Sequence, residues 1–470
     1  MKRTQNFLFI IVLTLLSLYL NDLYINVDAE KYLIDKKLKL ELVVEGLEQP
    51  ISMAFLDNND IIVLEKKGKV QRVFNNTISP SPVLDISYKV DSMRERGLLG
   101  IAISNGNNEI YEKSNKKERD VYLFFTELIS KSDNFNFPCV LELCNKNNLV
   151  INSLYKYEFH DGKLVNPQLL LRVPINSNAS LAHIGGVITI SSDKVIYITS
   201  GDGNVCRNYE SCKFSISEGL LNSQTSNSEY GIKPSGSGGI LYLDTNDGVN
   251  NHIPIFGHEY PLNLYYAYGI RNSFGIDFDP VTGYLWDTEN GPEFGDEINL
   301  VEPGFNSGWA KKQGMWPIID YAQLSVDLLP GQTRGYNSNV QKQEIQNFEN
   351  LVDFGGKGKY SDPEFTWNYP VGVTAIEFFN SSAYGEEYRN DMFVATFNDG
   401  LIYNFNLDKD RKNLDLNGKL TDKIANNDDE LSDIIFAKNL SSITDLETGP
   451  DGFLYVVSPS KGTIWRIVPS

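Results

Sequence analysis

The chain has 470 residues, with 42 Lys+Arg against 61 Asp+Glu and a formal net charge of −19. An apolar share of 41% beside 22% charged residues is enough to bury a core and excludes a disordered chain. The acidic balance argues against a nucleic-acid partner, which calls for clustered Lys and Arg to replace phosphate counterions. Twenty-five Tyr, 25 Phe and 37 Gly against 5 Met favour strands and turns over helices.

At the N-terminus, Lys2 and Arg3 precede an apolar run from Phe7 to Leu20, and Val27-Asp28-Ala29 supplies small residues for cleavage. Residues 1–29 therefore read as a signal peptide or an N-terminal membrane anchor. Residues 30–470 are expected to fold outside the cytoplasm: secreted, periplasmic or on the extracellular face of the membrane. Four cysteines in two close pairs, Cys139/Cys144 and Cys206/Cys212, favour disulfides in such a compartment, with the two local pairings preferred. Sequons at Asn75, Asn178, Asn380 and Asn439 mark expected surface loops and glycan acceptors.

Along the mature chain an alternating stretch repeatedly meets a polar turn and a second alternating stretch. Met53–Asp57 turns at Asn58-Asn59-Asp60 into Ile61–Glu65, and Gly68 leads into Lys69–Val73. The pattern recurs at Gly97–Phe124, Thr189–Ile198, Ile276–Trp286, Ile376–Val394 and Phe453–Ile467. Short strands at this spacing predict antiparallel meanders. Six meanders arranged radially predict an all-β, six-bladed β-propeller with long loops on one face. The N-terminal strand is expected to complete the blade begun after Ser442. Residues 105–120, 206–237, 311–360 and 408–430 read as long polar excursions.

A propeller gathers polar residues from distant sequence at its axis. Glu95-Arg96 stands directly before an apolar strand start. His183 precedes Gly185-Gly186, whose lack of side chains admits backbone or ligand closely. Arg271-Asn272 precedes an alternating strand, and Glu289 to Glu297 forms an oxygen-rich turn. His183 suits a general base that accepts the proton an alcohol loses on oxidation. Arg271 suits an anionic cofactor or a substrate oxygen. The turn suits Ca²⁺, a hard cation that takes oxygen ligands. Each residue also has a plain structural reading: a strand cap, an ion pair and an acidic loop.

Taken in order, Arg96-Gly97-Leu98-Leu99-Gly100, His183-x-Gly185-Gly186, Gly201-Asp202-Gly203, Tyr268-Gly269-Ile270-Arg271-Asn272-x-Phe274-Gly275, Glu289-Asn290-Gly291-Pro292, Asp296-Glu297-Ile298-Asn299, Gly304-x-Asn306-x-Gly308-Trp309 and Gly449-Pro450-Asp451-Gly452 resemble the soluble glucose/sorbosone (aldose sugar) dehydrogenase family. That resemblance implies a quinoprotein oxidising aldose sugars to lactones with pyrroloquinoline quinone (PQQ) and Ca²⁺. It implies catalytic roles for His183, Arg271 and Glu95, and cofactor contacts from Arg271, Asn272 and Thr374. For the metal it implies the carbonyls of Gly291 and Pro292, with Asp296 and Glu297 beside them. The implied partners are a small-molecule sugar and an electron acceptor of unspecified kind. The chain departs from the family pattern where cations for the PQQ carboxylates are usual: Thr396 to Asp399, and Ser442 and Thr444 before Asp445. It also carries Ala182 and Val187 around the histidine motif. Two alternatives stay open, a non-catalytic propeller that binds a glycan or protein partner and a Ca²⁺-dependent lactonase-like hydrolase.

Overall fold

The computed structural model describes residues 33–105, 119–130, 148–175, 182–203, 224–227, 234–245, 253–317 and 351–470. The N-terminal segment, all four cysteines and the Asn178 sequon lie outside them, and so do the expected disulfides.

The described chain is an all-β propeller, its only helical turns being short 3₁₀ segments. Six sheets hold four or more strands, and a two-stranded ribbon, Lys312–Gln313 with Trp316–Pro317, stands apart. The innermost strands are Pro50–Asp57, Leu98–Asn105, Gly185–Ile190, Ser273–Phe278, Val373–Phe378 and Asp445–Thr448. Each packs beside the next, and the last returns to the first, which closes the ring.

Closure uses both ends of the chain. Leu38–Glu45 pairs antiparallel with the C-terminal strand Thr463–Pro469, so Leu40 faces Ile467 and Leu42 faces Trp465. The N-terminal strand thus completes the last sheet, as the sequence leads one to expect.

The sheets differ in size. Three of the large sheets have four strands, two have five and one has six. Two of the additions, Lys359–Tyr360 and Ile424–Ala425, come from the polar excursions. Phe305–Asn306 and Lys359–Tyr360 extend one sheet in parallel beyond Tyr265–Tyr268, and Ile424–Ala425 lies parallel to Phe365–Trp367. Part of what reads as loop is therefore edge strand, which covers otherwise open backbone groups.

Alternation explains the packing. A strand sends successive side chains to opposite faces, and in a propeller both faces meet a neighbouring sheet. Asp60–Glu65 is accordingly buried at every position. One apolar cluster fills each space between neighbouring sheets. Leu64, Leu98, Leu123 and Tyr157 share one, Phe124, Leu154, Ile198 and Leu241 the next, and Trp286, Trp367, Val394 and Tyr403 another. Burying each such side chain stabilises by roughly 1.5–3 kcal/mol.

The axis is polar. A narrow channel of about 130 Å³ runs between the inner strands and is lined by Asp277, Glu377, Asp445 and Glu447. Burial raises the pKa of all four, to about 7 for Asp277 and Asp445; neighbouring channel carboxylates add to this for Glu377 and Glu447, and Asp279 for Asp277.

Candidate active site

Above this channel a cavity of about 390 Å³ opens among the inter-strand loops. Its wall includes Glu95, His183, Arg271, Asn272, Gly291 and Thr374, brought from five stretches of chain. The two spaces share Ile51, Leu99, Phe274 and Thr444, so the cavity stands at one end of the axis.

His183 is held from three directions. Its backbone is left-handed, with φ +56°. Its N–H donates to Glu95 Oε2 at 2.5 Å. Its ring Nδ1 lies 2.7 Å from Asp202 Oδ1, and the other carboxylate oxygen accepts Trp309 Nε1–H at 2.8 Å. His183 and Asp202 are 7% and 6% exposed, so this contact is shielded from water. An ionised carboxylate can only accept, so Nδ1 carries the proton, and in the neutral ring Nε2 keeps its lone pair. That is the tautomer a proton acceptor needs.

The glycines after His183 serve backbone packing. A Cβ on Gly100 would sit 2.0 Å from Gly186 O, and one on Gly186 would press on Leu99. Two inner strands therefore touch backbone to backbone directly below the histidine.

Arg271 is buried at 7% exposure. Its N–H donates to Glu289 Oε1 at 2.6 Å, and its Nη1 donates to the carbonyls of Asn290 and Gly291, both at 2.8 Å. Its guanidinium carbon lies 5.4 Å from the Trp309 ring centroid, and its Nε is buried without a partner. Asn272 Oδ1 accepts from Gly185 N–H at 3.3 Å, which ties the arginine segment to the histidine segment. Thr374 reaches the wall, but its hydroxyl donates to the carbonyls of Ile443 and Ala395, at 2.9 and 3.3 Å.

The carboxylates of the oxygen-rich turn are taken up by hydrogen bonds within the protein. Asp296 Oδ1 accepts Gly291 N–H at 2.8 Å, and its Oδ2 accepts Val371 and Gly372 N–H at 2.8 and 2.6 Å. Glu297 points the other way along the strand. Its oxygens take Ser307 Oγ–H at 2.9 Å and Gly314 N–H at 2.8 Å. Glu289 Oε2 contacts the same Ser307 hydroxyl at 2.7 Å. One hydroxyl proton cannot satisfy both, and burial together with the neighbouring carboxylates raises both acids, Glu289 to about 8. Both carboxylates of the expected metal set are thus engaged within the protein, and Gly291 O already faces a guanidinium. Among the described residues no cluster of three or more His, Cys, Asp or Glu is placed to hold a metal ion.

Sequence reasoning missed four wall or support residues. Asp202 and Trp309 fall inside quoted motifs without an assigned role, whereas Lys66 and Arg94 lie in ordinary turns that carry no motif.

A family model described as glucose/sorbosone dehydrogenase matches residues 47–316, more than half of the chain. An uncharacterized protein of Synechocystis sp. is 21% identical over 92% of this chain and 86% of its own length. Quinoprotein glucose dehydrogenase B of Acinetobacter calcoaceticus is 27% identical over 61% of this chain and 55% of its own length. The solved apo form of the soluble aldose sugar dehydrogenase of Escherichia coli matches with TM-score 0.61 and 18% identity, covering 92% of this chain and 100% of that one. The PQQ-bound aldose sugar dehydrogenase of Streptomyces coelicolor matches with TM-score 0.54 and 18% identity, covering 93% and 99%.

Proposed function

Because the chain belongs to the glucose/sorbosone dehydrogenase family, we propose that it oxidises aldose sugars to lactones in the cavity around His183, with PQQ as the resident cofactor. We read the six large sheets as six blades, and the protein as working outside the cytoplasm. The observation that carries the reading is the buried Trp309–Asp202–His183 series, which presents one imidazole as proton acceptor in a cavity of cofactor size.

The wall suits a flat polycarboxylate quinone. Arg271 Nε and Thr444 Oγ1 are buried polar atoms without partners on its lining, and Phe274 and Phe397 supply apolar faces. Arg271, Asn272 and Thr374 would hold it. When bound, PQQ supplies the two-electron acceptor. Ca²⁺ does not fit Asp296, Glu297 and Gly291 O as they stand, since amide, hydroxyl and guanidinium donors already engage them, and no step is assigned to it.

His183 takes the proton from the anomeric hydroxyl at Nε2 while the carbon-bound hydrogen departs as hydride. Asp202 fixes the tautomer and stabilises the imidazolium that forms. Glu95 anchors the backbone of His183 and does not contact its ring nitrogens. The cavity walls exclude bulk water from this pair.

The test is a spectroscopic titration of the purified protein with PQQ, followed by dye reduction with a panel of aldoses. Saturable uptake and sugar-dependent reduction are expected. Absence of uptake at micromolar PQQ would refute the reading and leave the non-catalytic propeller in its place.

A further inference from the structure

We propose that Lys66 and Arg94 form an anion clamp at the cavity rim, selecting sugars that carry a carboxylate or phosphate away from the oxidised carbon. The inference rests on the dehydrogenase reading for its reaction but not for its binding step.

Besides Arg271, the cavity wall carries two cations, Lys66 and Arg94, in a chain of net charge −19. Among the described residues neither Lys66 nor Arg94 is in an ion pair. Lys66 Nζ donates to the backbone carbonyl of Arg94, and the Arg94 side chain has no hydrogen-bond partner there. Both carboxylates on the wall hold hydrogen bonds elsewhere. Glu95 accepts the His183 N–H through Oε2, and both oxygens of Asp296 are held by backbone amides. Burial lowers the Lys66 pKa, and the nearby Glu95 charge works against that shift. Arg94 holds a left-handed backbone with φ +51°, a conformation that costs free energy for a non-glycine residue.

Position decides which ligand these cations serve. Lys66 contacts Arg94, Arg94 precedes Glu95, and Glu95 grips His183. The cations therefore share a wall with the proton acceptor, where the sugar's reacting hydroxyl must lie. The residues assigned to the cofactor, Arg271, Asn272 and Thr374, come from other sheets. A hexose with its anomeric hydroxyl at His183 extends its far end several ångströms away, and an anion there meets guanidinium and ammonium together.

The test titrates the purified protein, without cofactor, against D-glucose, D-glucuronate and D-glucose 6-phosphate by calorimetry, which separates neutral, carboxylate and phosphate sugars. At least about tenfold tighter binding of one or both anions is expected, given the usual strength of charge-assisted hydrogen bonds. The preference should fall with salt and collapse in Lys66→Gln/Arg94→Gln, with Lys69→Gln as a charge control and circular dichroism as the check on folding. Equal binding of all three sugars, or a preference that survives the double substitution, overturns the clamp. If the double variant loses PQQ affinity while its sugar preference persists, the cations belong to the cofactor and the proposal is wrong. If the anion preference depends on both residues yet no sugar is oxidised, the clamp stands and the dehydrogenase reading falls.

Discussion

Replacing Asp202 by Asn changes one charge at the most constrained contact in the cavity. The Asp202 backbone stays fixed, because its N–H donates to Arg271 O at 2.8 Å. Asn has one acceptor oxygen for two donors, Trp309 Nε1–H at 2.8 Å and His183 Nδ1–H at 2.7 Å. If the amide oxygen keeps Trp309, its NH₂ faces Nδ1 and forces the proton to Nε2, where it blocks proton acceptance. If the oxygen keeps His183, the buried Trp309 N–H loses its acceptor on this residue. A buried charge-assisted hydrogen bond contributes about 1.5–3 kcal/mol, so kcat/KM for aldose-dependent dye reduction should fall about 10- to 150-fold. PQQ affinity should change little, since Asp202 is not on the cavity wall. Full activity in a folded Asp202→Asn protein would refute the assignment of the tautomer.

Other outcomes follow from the same geometry. Asp277, Asp287 and Asp445 are raised to about 7 and Glu289 to about 8, so the folded state binds more protons than the unfolded chain between about pH 4 and 7. Stability should therefore fall as pH rises through that window, and thermal unfolding should show a higher Tm at pH 5 than at pH 7.5; the reverse order would contradict the buried-acid assignment. Gly201→Ala would place a Cβ 2.1 Å from His183 O, and denaturant unfolding should show a loss of about 1–3 kcal/mol or more, with activity impaired beyond the loss of folded protein. Ca²⁺ added to the cofactor-free protein should leave Tm unchanged, because Gly291 O accepts from Arg271 and Asp296 is held by three amides; a clear rise would show that these donors open to the metal.

The ring itself is legible in the sequence. Strand alternation and turn residues mark the inner strands because two-sided burial imposes a period that composition cannot hide. Asn59, predicted as a turn, sits at φ +56°, and Gly68 at +105°. Pairing of the N-terminal strand with Thr463–Pro469 follows from the need to close a ring. The edge additions at Phe305–Asn306, Lys359–Tyr360 and Ile424–Ala425 are not legible, because two-residue parallel pairings have no period. At the site, His183, Arg271 and Asn272 stand out as polar residues between glycines. The direction of a carboxylate does not. Asp296 and Glu297 have the composition of a calcium turn, yet strand geometry sends them to opposite faces and into different hydrogen bonds. Lys66 and Arg94 acquire meaning only when the fold sets them beside His183.

Single-turnover reduction of the PQQ-loaded protein by an aldose, in the natural sequence and in His183→Gln, tests the central claim most directly. PQQ affinity should be nearly unchanged while the reduction rate falls about 10²- to 10⁴-fold, the usual contribution of a general base. Reduction at the natural rate in His183→Gln would contradict it.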